Sequence, residues 1–166
     1  MEFNKTKSMI KQLLMNLLLT LIWMALTGKF LFINFVFGFL LSFFILWIMA
    51  RRQSDKRYFT RLPKMISFIF FFLYELLKAN LQVAYDVITP KFFMKPGIVR
   101  IPLDAKTNME ITLLANLITL TPGTLSLDVS DDKKVLYVHA MYVKNKDQFI
   151  SSIKLGFEKR LLEILR

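Results

Sequence analysis

The sequence predicts two apolar helices that cross a membrane as a hairpin, an amphipathic helix at the membrane interface, and a small α+β domain. Three observations lead there. Hydrophobic residues make up 55% of the 166 positions, and all but Phe149 and Phe157 of the seventeen phenylalanines lie in the first 93. A single soluble core of this size has no room for so much aromatic surface. The formal charge of +11 is concentrated beside the apolar stretches: Arg51, Arg52, Lys56, Arg57, Arg61 and Lys64 face only Asp55. Beyond about residue 96 the composition changes to short alternating segments separated by turn residues.

The first predicted span is 12–28, seventeen uncharged residues between Lys11 and Lys29. At about 1.5 Å per residue it barely crosses a hydrocarbon core of about 30 Å, and the flanking lysines extend it by snorkelling. The second is 30–50, twenty-one uncharged residues ending at Arg51. The connection at Gly28 and Lys29 is short enough to force an antiparallel hairpin. A cleaved signal peptide is the competing reading of the first span. The second span follows too closely for that, with no small-residue cleavage site between them. Lys5, Lys7 and Lys11 before the hairpin and the basic cluster after it place both ends in the cytoplasm. Asn16, Asn34, Gly38 and Ser42 lie inside the spans, where polar and small residues face another helix rather than lipid. The hairpin with its basic linker occupies 1–62.

Residues 63–95 form the next segment, a helix opened by Pro63 and closed by Pro90. Its uncharged core, 65–74, falls short of a spanning helix. At about 100° per residue, Lys64, Ser67, Glu75, Lys78, Gln82 and Asp86 form one polar stripe. Met65, Ile69, Leu76, Val83 and Val87 lie opposite, and Asn80 is the exception. This pattern suits a helix lying in the interface with its stripe toward water or protein. A spanning helix with that stripe buried against neighbours is the alternative. Glu75, Lys78, Asn80, Gln82 and Asp86 are the candidate subunit-contact residues, Glu75 and Lys78 being spaced to pair with each other.

Residues 96–166 read as the α+β domain. Ile98 to Leu103 alternate as a short strand, with Pro102 marking an edge or an end. Thr107 or Asn108 then opens a helix with Glu110 in its first turn. Thr121, Pro122, Gly123 and Thr124 form a structural turn of type II, with glycine supplying the positive φ. Strands follow at 125–129 and 135–143, joined by the loop 131–134. A helix at 147–166 carries Ile150, Ile153, Phe157, Leu161, Ile164 and Leu165 on its apolar side. The order β-α-β-β-α is that of a ferredoxin-like, split β-α-β unit short of one strand, with a sheet edge open for docking.

The chemistry these residues exclude is extensive. Cysteine is absent and His139 is the single histidine, so thiolate chemistry and multi-histidine metal sites are out of reach. No GK[ST] phosphate loop occurs. Asp128, Asp131 and Asp132 lead into Lys133 and Lys134, a solvated hairpin tip rather than a cation site. We therefore expect no catalytic residue, no cofactor and no metal. The basic charge points to membrane lipids and not to nucleic acid.

Four runs carry a family resemblance: 74–80 (YELLKAN), 116–124 (NLITLTPGT), 127–132 (LDVSDD) and 136–140 (LYVHA). Together with the apolar N-terminus, they make the chain resemble the MrpE/MnhE family, the E-subunits of the multisubunit Mrp (Mnh) cation/proton antiporters. The resemblance implies a multi-pass protein of the bacterial plasma membrane whose partners are the other subunits of a Na⁺/H⁺ antiporter complex. It further implies an accessory or assembly role, with translocation carried by larger subunits. A stand-alone membrane-tethered module that recruits a cytoplasmic partner is the alternative function.

Overall fold

The computed structural model describes residues 2–50, 57–89 and 94–166. The chain divides into two compact units, Met1–Pro63 and Lys64–Arg166. The helices Met9–Thr27, Phe32–Ala50 and Tyr58–Ile88 are each long and apolar enough to cross a membrane, judged by length and composition.

The first unit contains α1 (Glu2–Thr27), α2 (Phe32–Ala50) and the first turns of α3 (Arg57–Ile88). Gly28 follows α1 at φ +64°, the left-handed position that ends a helix most cheaply without a side chain. Across the turn the Trp23 indole N–H donates to Asn34 Oδ1 at 3.0 Å. The Asn34 amide in turn donates to Thr27 Oγ1 at 2.7 Å and to the Lys29 carbonyl at 2.6 Å. The buried residues of α2 are Gly38, Ser42, Leu46 and Ala50, one every four positions. Small residues on that line bring the backbones close. A Cβ at Gly38 would stand 2.8 Å from Trp23 Cδ1. Leu46 and Ala50 cluster with Tyr58 and Phe59 at the start of α3. Fully buried Asn16 donates its side-chain amide to the Tyr58 hydroxyl at 2.7 Å.

That cluster explains a difference from the sequence reading. Helix α3 begins at Arg57, six residues before Pro63, because burying Tyr58 and Phe59 outweighs the helix-breaking tendency of a proline. Pro63 has no N–H to offer the Phe59 carbonyl, so the helix lacks one internal bond there. The basic linker at 51–56, and the predicted stop at Pro90, lie outside the described residues.

The second unit joins the rest of α3 to β1 (Gly97–Pro102), α4 (Asn108–Leu120), β2 (Thr124–Val129), β3 (Val135–Ala140), α5 (Lys146–Ser152), a π-helical segment (Ile153–Glu158) and α6 (Lys159–Leu165). The strand order is β1-β3-β2. Both outer strands run antiparallel to β3, so β1 and β2 are parallel to each other with α4 as their crossover. Val99 faces Val138 and Ile101 faces Leu136 across β1 and β3. On the buried side of the sheet these residues meet Leu114 and Ile118 of α4, and Ile153, Phe157 and Leu161 of the C-terminal helix.

The C-terminal helix was expected to be regular. Instead its middle widens into the π-helical turn, which lets consecutive Phe157 and Glu158 both point inward. Helix α4 starts on a capping box. Thr107 accepts from the Glu110 N–H at 3.2 Å, and the Glu110 carboxylate accepts from the Thr107 N–H at 3.1 Å.

Candidate functional site: the groove between α3 and the α+β domain

From Lys64 onward α3 packs along the α+β domain. Its inward positions recur every three or four residues: Phe68, Phe72, Glu75, Ala79, Val83 and Asp86. Near the N-terminal end, Lys64 pairs with Glu163 at 3.5 Å. Next, Phe71 meets Phe157 edge to face at 5.4 Å, with the Arg160 guanidinium over its ring at 4.4 Å. At the far end the Tyr142 hydroxyl donates to buried Asp86. The bond to Asp86 and the burial of the phenol push the Tyr142 hydroxyl up to about 12.

Midway between these contacts lies a half-open groove of about 240 Å³. Glu75, Lys78 and Gln82 line its α3 side, and Thr121, Thr124 and Tyr142 its domain side. The Lys78 ammonium stands 3.4 Å from the Glu75 carboxylate. The turn supplies the opposite wall. Gly123 sits at φ +85°, and the Thr124 N–H closes the turn on the Thr121 carbonyl at 3.2 Å. The Thr121 hydroxyl is tied to the Ile118 carbonyl at 2.7 Å, so the wall hangs from the end of α4. A Cβ at Gly123 would come within 3.2 Å of Tyr142 Cε2.

The structure thus assembles two motifs that are separate in sequence, the polar stripe of α3 and the proline-glycine turn. Glu75, Lys78 and Gln82 meet Thr121, Pro122 and Thr124 around the groove, and Asp86 is spent on Tyr142. Asn80 is not brought in: it is exposed and donates to the Leu76 carbonyl one turn back at 2.8 Å. The groove offers one carboxylate, one ammonium, the Gln82 amide and hydroxyls already engaged in the turn, on Asp86 or on the Phe149 carbonyl. Such a set can hold a polar side chain of a partner but has no nucleophile-base pair. Among the described residues no three of His, Cys, Asp or Glu gather to hold a metal ion.

Sequence reasoning missed a second polar constellation, at the loop between β1 and α4. Four consecutive backbone N–H groups there are accepted by two buried carboxylates. Glu158 Oε1 takes Asp104 at 2.6 Å and Ala105 at 3.0 Å; Glu110 Oε2 takes Lys106 at 2.8 Å and Thr107 at 3.1 Å. Each carboxylate has its own cation. Lys154 lies 2.9 Å from Glu158, and Arg166 lies 3.0 Å from Glu110. The Arg166 hydrogen bond, with the backbone donors, draws Glu110 down to about 2 against the cost of burial. The only sequence signal for this clamp was Glu110 three residues after a threonine, because Glu158 is about fifty residues from the loop it holds.

The chain matches known proteins along most of its length. A family model described as a Na⁺/H⁺ ion antiporter subunit matches residues 16–164. The Na⁺/H⁺ antiporter E-subunit of Alkalihalophilus pseudofirmus is 40% identical over 155 residues, covering 93% of this chain and 98% of the relative. Among solved structures, a chain of the membrane-bound sulfane sulfur reductase, an archaeal respiratory membrane complex, is 32% identical with a TM-score of 0.54. That match covers 92% of this chain and 98% of the other. A chain of the Mrp complex from Dietzia is 30% identical with a TM-score of 0.48, over 61% of this chain and 96% of its own length.

Proposed function

This chain belongs to the Na⁺/H⁺ antiporter E-subunit family, and from that premise we propose that it serves a multisubunit antiporter in an accessory and assembly role. The two spans in α1 and α2 carry no ionisable residue between Lys11 and Lys29 or between Lys29 and Arg51. Proton and cation relays through a membrane need buried ionisable groups. The two asparagines inside the spans are engaged between helices: Asn16 with Tyr58, Asn34 with Trp23 and Thr27. That supports translocation by other subunits. The family likeness to a chain of a respiratory complex supports it too, since a part used beside a different reaction suits a supporting role.

The reading extends to topology: a membrane hairpin, α3 lying in the interface, and a ferredoxin-like domain in the cytoplasm. One observation carries the placement of α3. Its contacts with the domain run from Lys64 to Asp86, about 33 Å at ~1.5 Å per residue. A helix so held could cross a hydrocarbon core of about 30 Å only by drawing the charged domain in with it. Lying flat, it turns Ile66, Phe70, Leu73, Leu77 and Leu81, all exposed in this chain, toward lipid. The basic residues flanking the hairpin favour the cytoplasmic side. The split β-α-β topology, with β3 between β1 and β2, supports the ferredoxin-like reading. The groove, with Glu75 and Gln82 on α3 facing Thr121 and Thr124, is then a contact point for a neighbouring protein of the complex.

Deleting this chain from the complex tests the role. Na⁺/H⁺ exchange in membrane vesicles should collapse together with recovery of the assembled complex. Exchange at full rate without it would refute an assembly function. A reporter inserted after Lys95 tests the topology, and its detection on the outer surface of intact cells would overturn it.

A further inference from the structure

The exposed side of α3 is asymmetric in charge. At about 100° per residue, Phe70, Leu73, Leu77, Leu81 and Ile88 mark the centre of the exposed face. One shoulder of that face is apolar, with Met65, Ile69 and Val87. The other carries cations at seven-residue spacing: Lys64, then Arg160 seated over Phe71, then Lys78. Seven residues are two turns, so the three charges stand about 10 Å apart in a row parallel to the helix. Lys64 and Lys78 keep only partly exposed carboxylate partners, at 3.5 and 3.4 Å, and such pairs hold a charge weakly.

We infer that this row, Lys64, Arg160 and Lys78, docks the α3 face on anionic phospholipid, so that the apolar stripe enters the acyl boundary while the row meets the headgroups. The inference rests on the interfacial placement of α3 and adds to it the class of lipid and the residues that select it. Two features commit the occupant to lipid rather than protein. From Lys64 onward the chain carries fourteen Lys and Arg against ten Asp and Glu, and an anionic surface is the complement of that positive balance. Helix α3 also follows a candidate span that ends at Ala50, which tethers it to a bilayer whatever its partners. An apolar stripe flanked by Lys and Arg is the pattern of helices that bind such surfaces.

The absence of cysteine makes a clean test possible. The full chain, with Leu73→Cys carrying an environment-sensitive fluorophore, is reconstituted in vesicles containing nitroxide-labelled lipid. The bilayer is phosphatidylcholine alone, or phosphatidylcholine mixed with phosphatidylglycerol. Asp131→Cys, at the exposed hairpin tip, is the reference probe. Quenching at position 73 should rise with phosphatidylglycerol and fall with added salt. The combination Lys64→Gln, Arg160→Gln and Lys78→Gln should erase the difference, each charge being worth about fivefold in the docking equilibrium and the row roughly a hundredfold. Retained slow exchange of the Asp104 and Ala105 amides would show that this variant is folded. Equal quenching in both bilayers would overturn the lipid preference and leave the interfacial placement standing. A probe unquenched in both, or a quenching depth that advances steadily from position 66 to position 88, would overturn the placement and this inference with it.

Discussion

Removing the carboxylate of Glu158 should loosen the α+β domain more than any other polar change in it. The side chain is 1% exposed and accepts the Asp104 and Ala105 N–H groups while facing Lys154. Lys154 also reaches Asp104 at 2.8 Å and the Pro102 carbonyl at 2.8 Å, so the cation remains partly satisfied when Glu158 is lost. Glu158→Ala leaves two buried N–H donors without an acceptor, at about 1–3 kcal/mol each, and removes a charge-assisted contact. The sum is about 4 kcal/mol, in the range for breaking a buried ion pair by deleting one partner. Glu158→Gln keeps one oxygen for the two N–H groups but turns an amide toward Lys154. It should cost about 2 kcal/mol, or roughly 8–16 °C in the thermal midpoint of a domain this size. Hydrogen exchange of the full chain in detergent, followed by mass spectrometry over residues 103–107, reads the effect locally. Exchange there should quicken in the order wild type, Gln, Ala. If Ala and wild type protect those amides equally, the carboxylate clamp is not what holds the loop.

Gly123→Val should destabilise the domain by roughly 1–3 kcal/mol, since valine at φ +85° is strained and its Cβ would press on Tyr142; unchanged thermal stability would argue against the turn. Glu110 titrates near 2 when folded and near 4.5 when free, so its stabilising contribution is complete above about pH 4.5 and is lost as the pH falls toward 2. Glu110→Gln should flatten the acid limb of a stability-versus-pH profile over that window, and Arg166→Gln should shift the limb to higher pH. Tyr142 should be among the last tyrosines to ionise: its folded pKa near 12 lies above the free value of 10. The stabilisation it brings is whole below pH 10 and fades as the pH climbs to 12. Tyr142→Phe should delete that phase from an ultraviolet titration and strand the buried Asp86 carboxylate, at about 1–3 kcal/mol.

The two carboxylate clamps and the groove share a construction. Each fastens a loop or a turn to a helix, Glu158 from more than fifty residues away and Glu110 and the threonines from within a few residues. Glu110 and Glu158 close the loop after β1, while the threonines of the turn after α4 close on the Ile118 carbonyl. A three-stranded sheet has few ladder bonds, and these side-chain bonds supply order where the sheet cannot. The domain-side wall of the groove is therefore tied by hydrogen bonds to the end of α4, with the longer side chains of α3 opposite it.

Much of this protein was legible in its sequence because the information is local. Charge-free runs bounded by lysine and arginine report lengths and boundaries directly, and helices α1 and α2 end at Thr27 and Ala50, close to where those runs stop. Alternation marked β1 and β3, Thr107 with Glu110 marked the start of α4, and the turn residues separated the segments of a small antiparallel sheet. Partnership at long range was not legible. Nothing near Pro63 announces that α3 begins six residues earlier, because the reason is burial of Tyr58 and Phe59 against Leu46 and Ala50. Likewise the polar stripe of α3 was readable as a stripe, yet its counterpart is the turn at Thr121–Thr124 and the phenol of Tyr142. Periodicity gives the direction a side chain takes from its own helix. Only the tertiary structure decides what stands there to receive it.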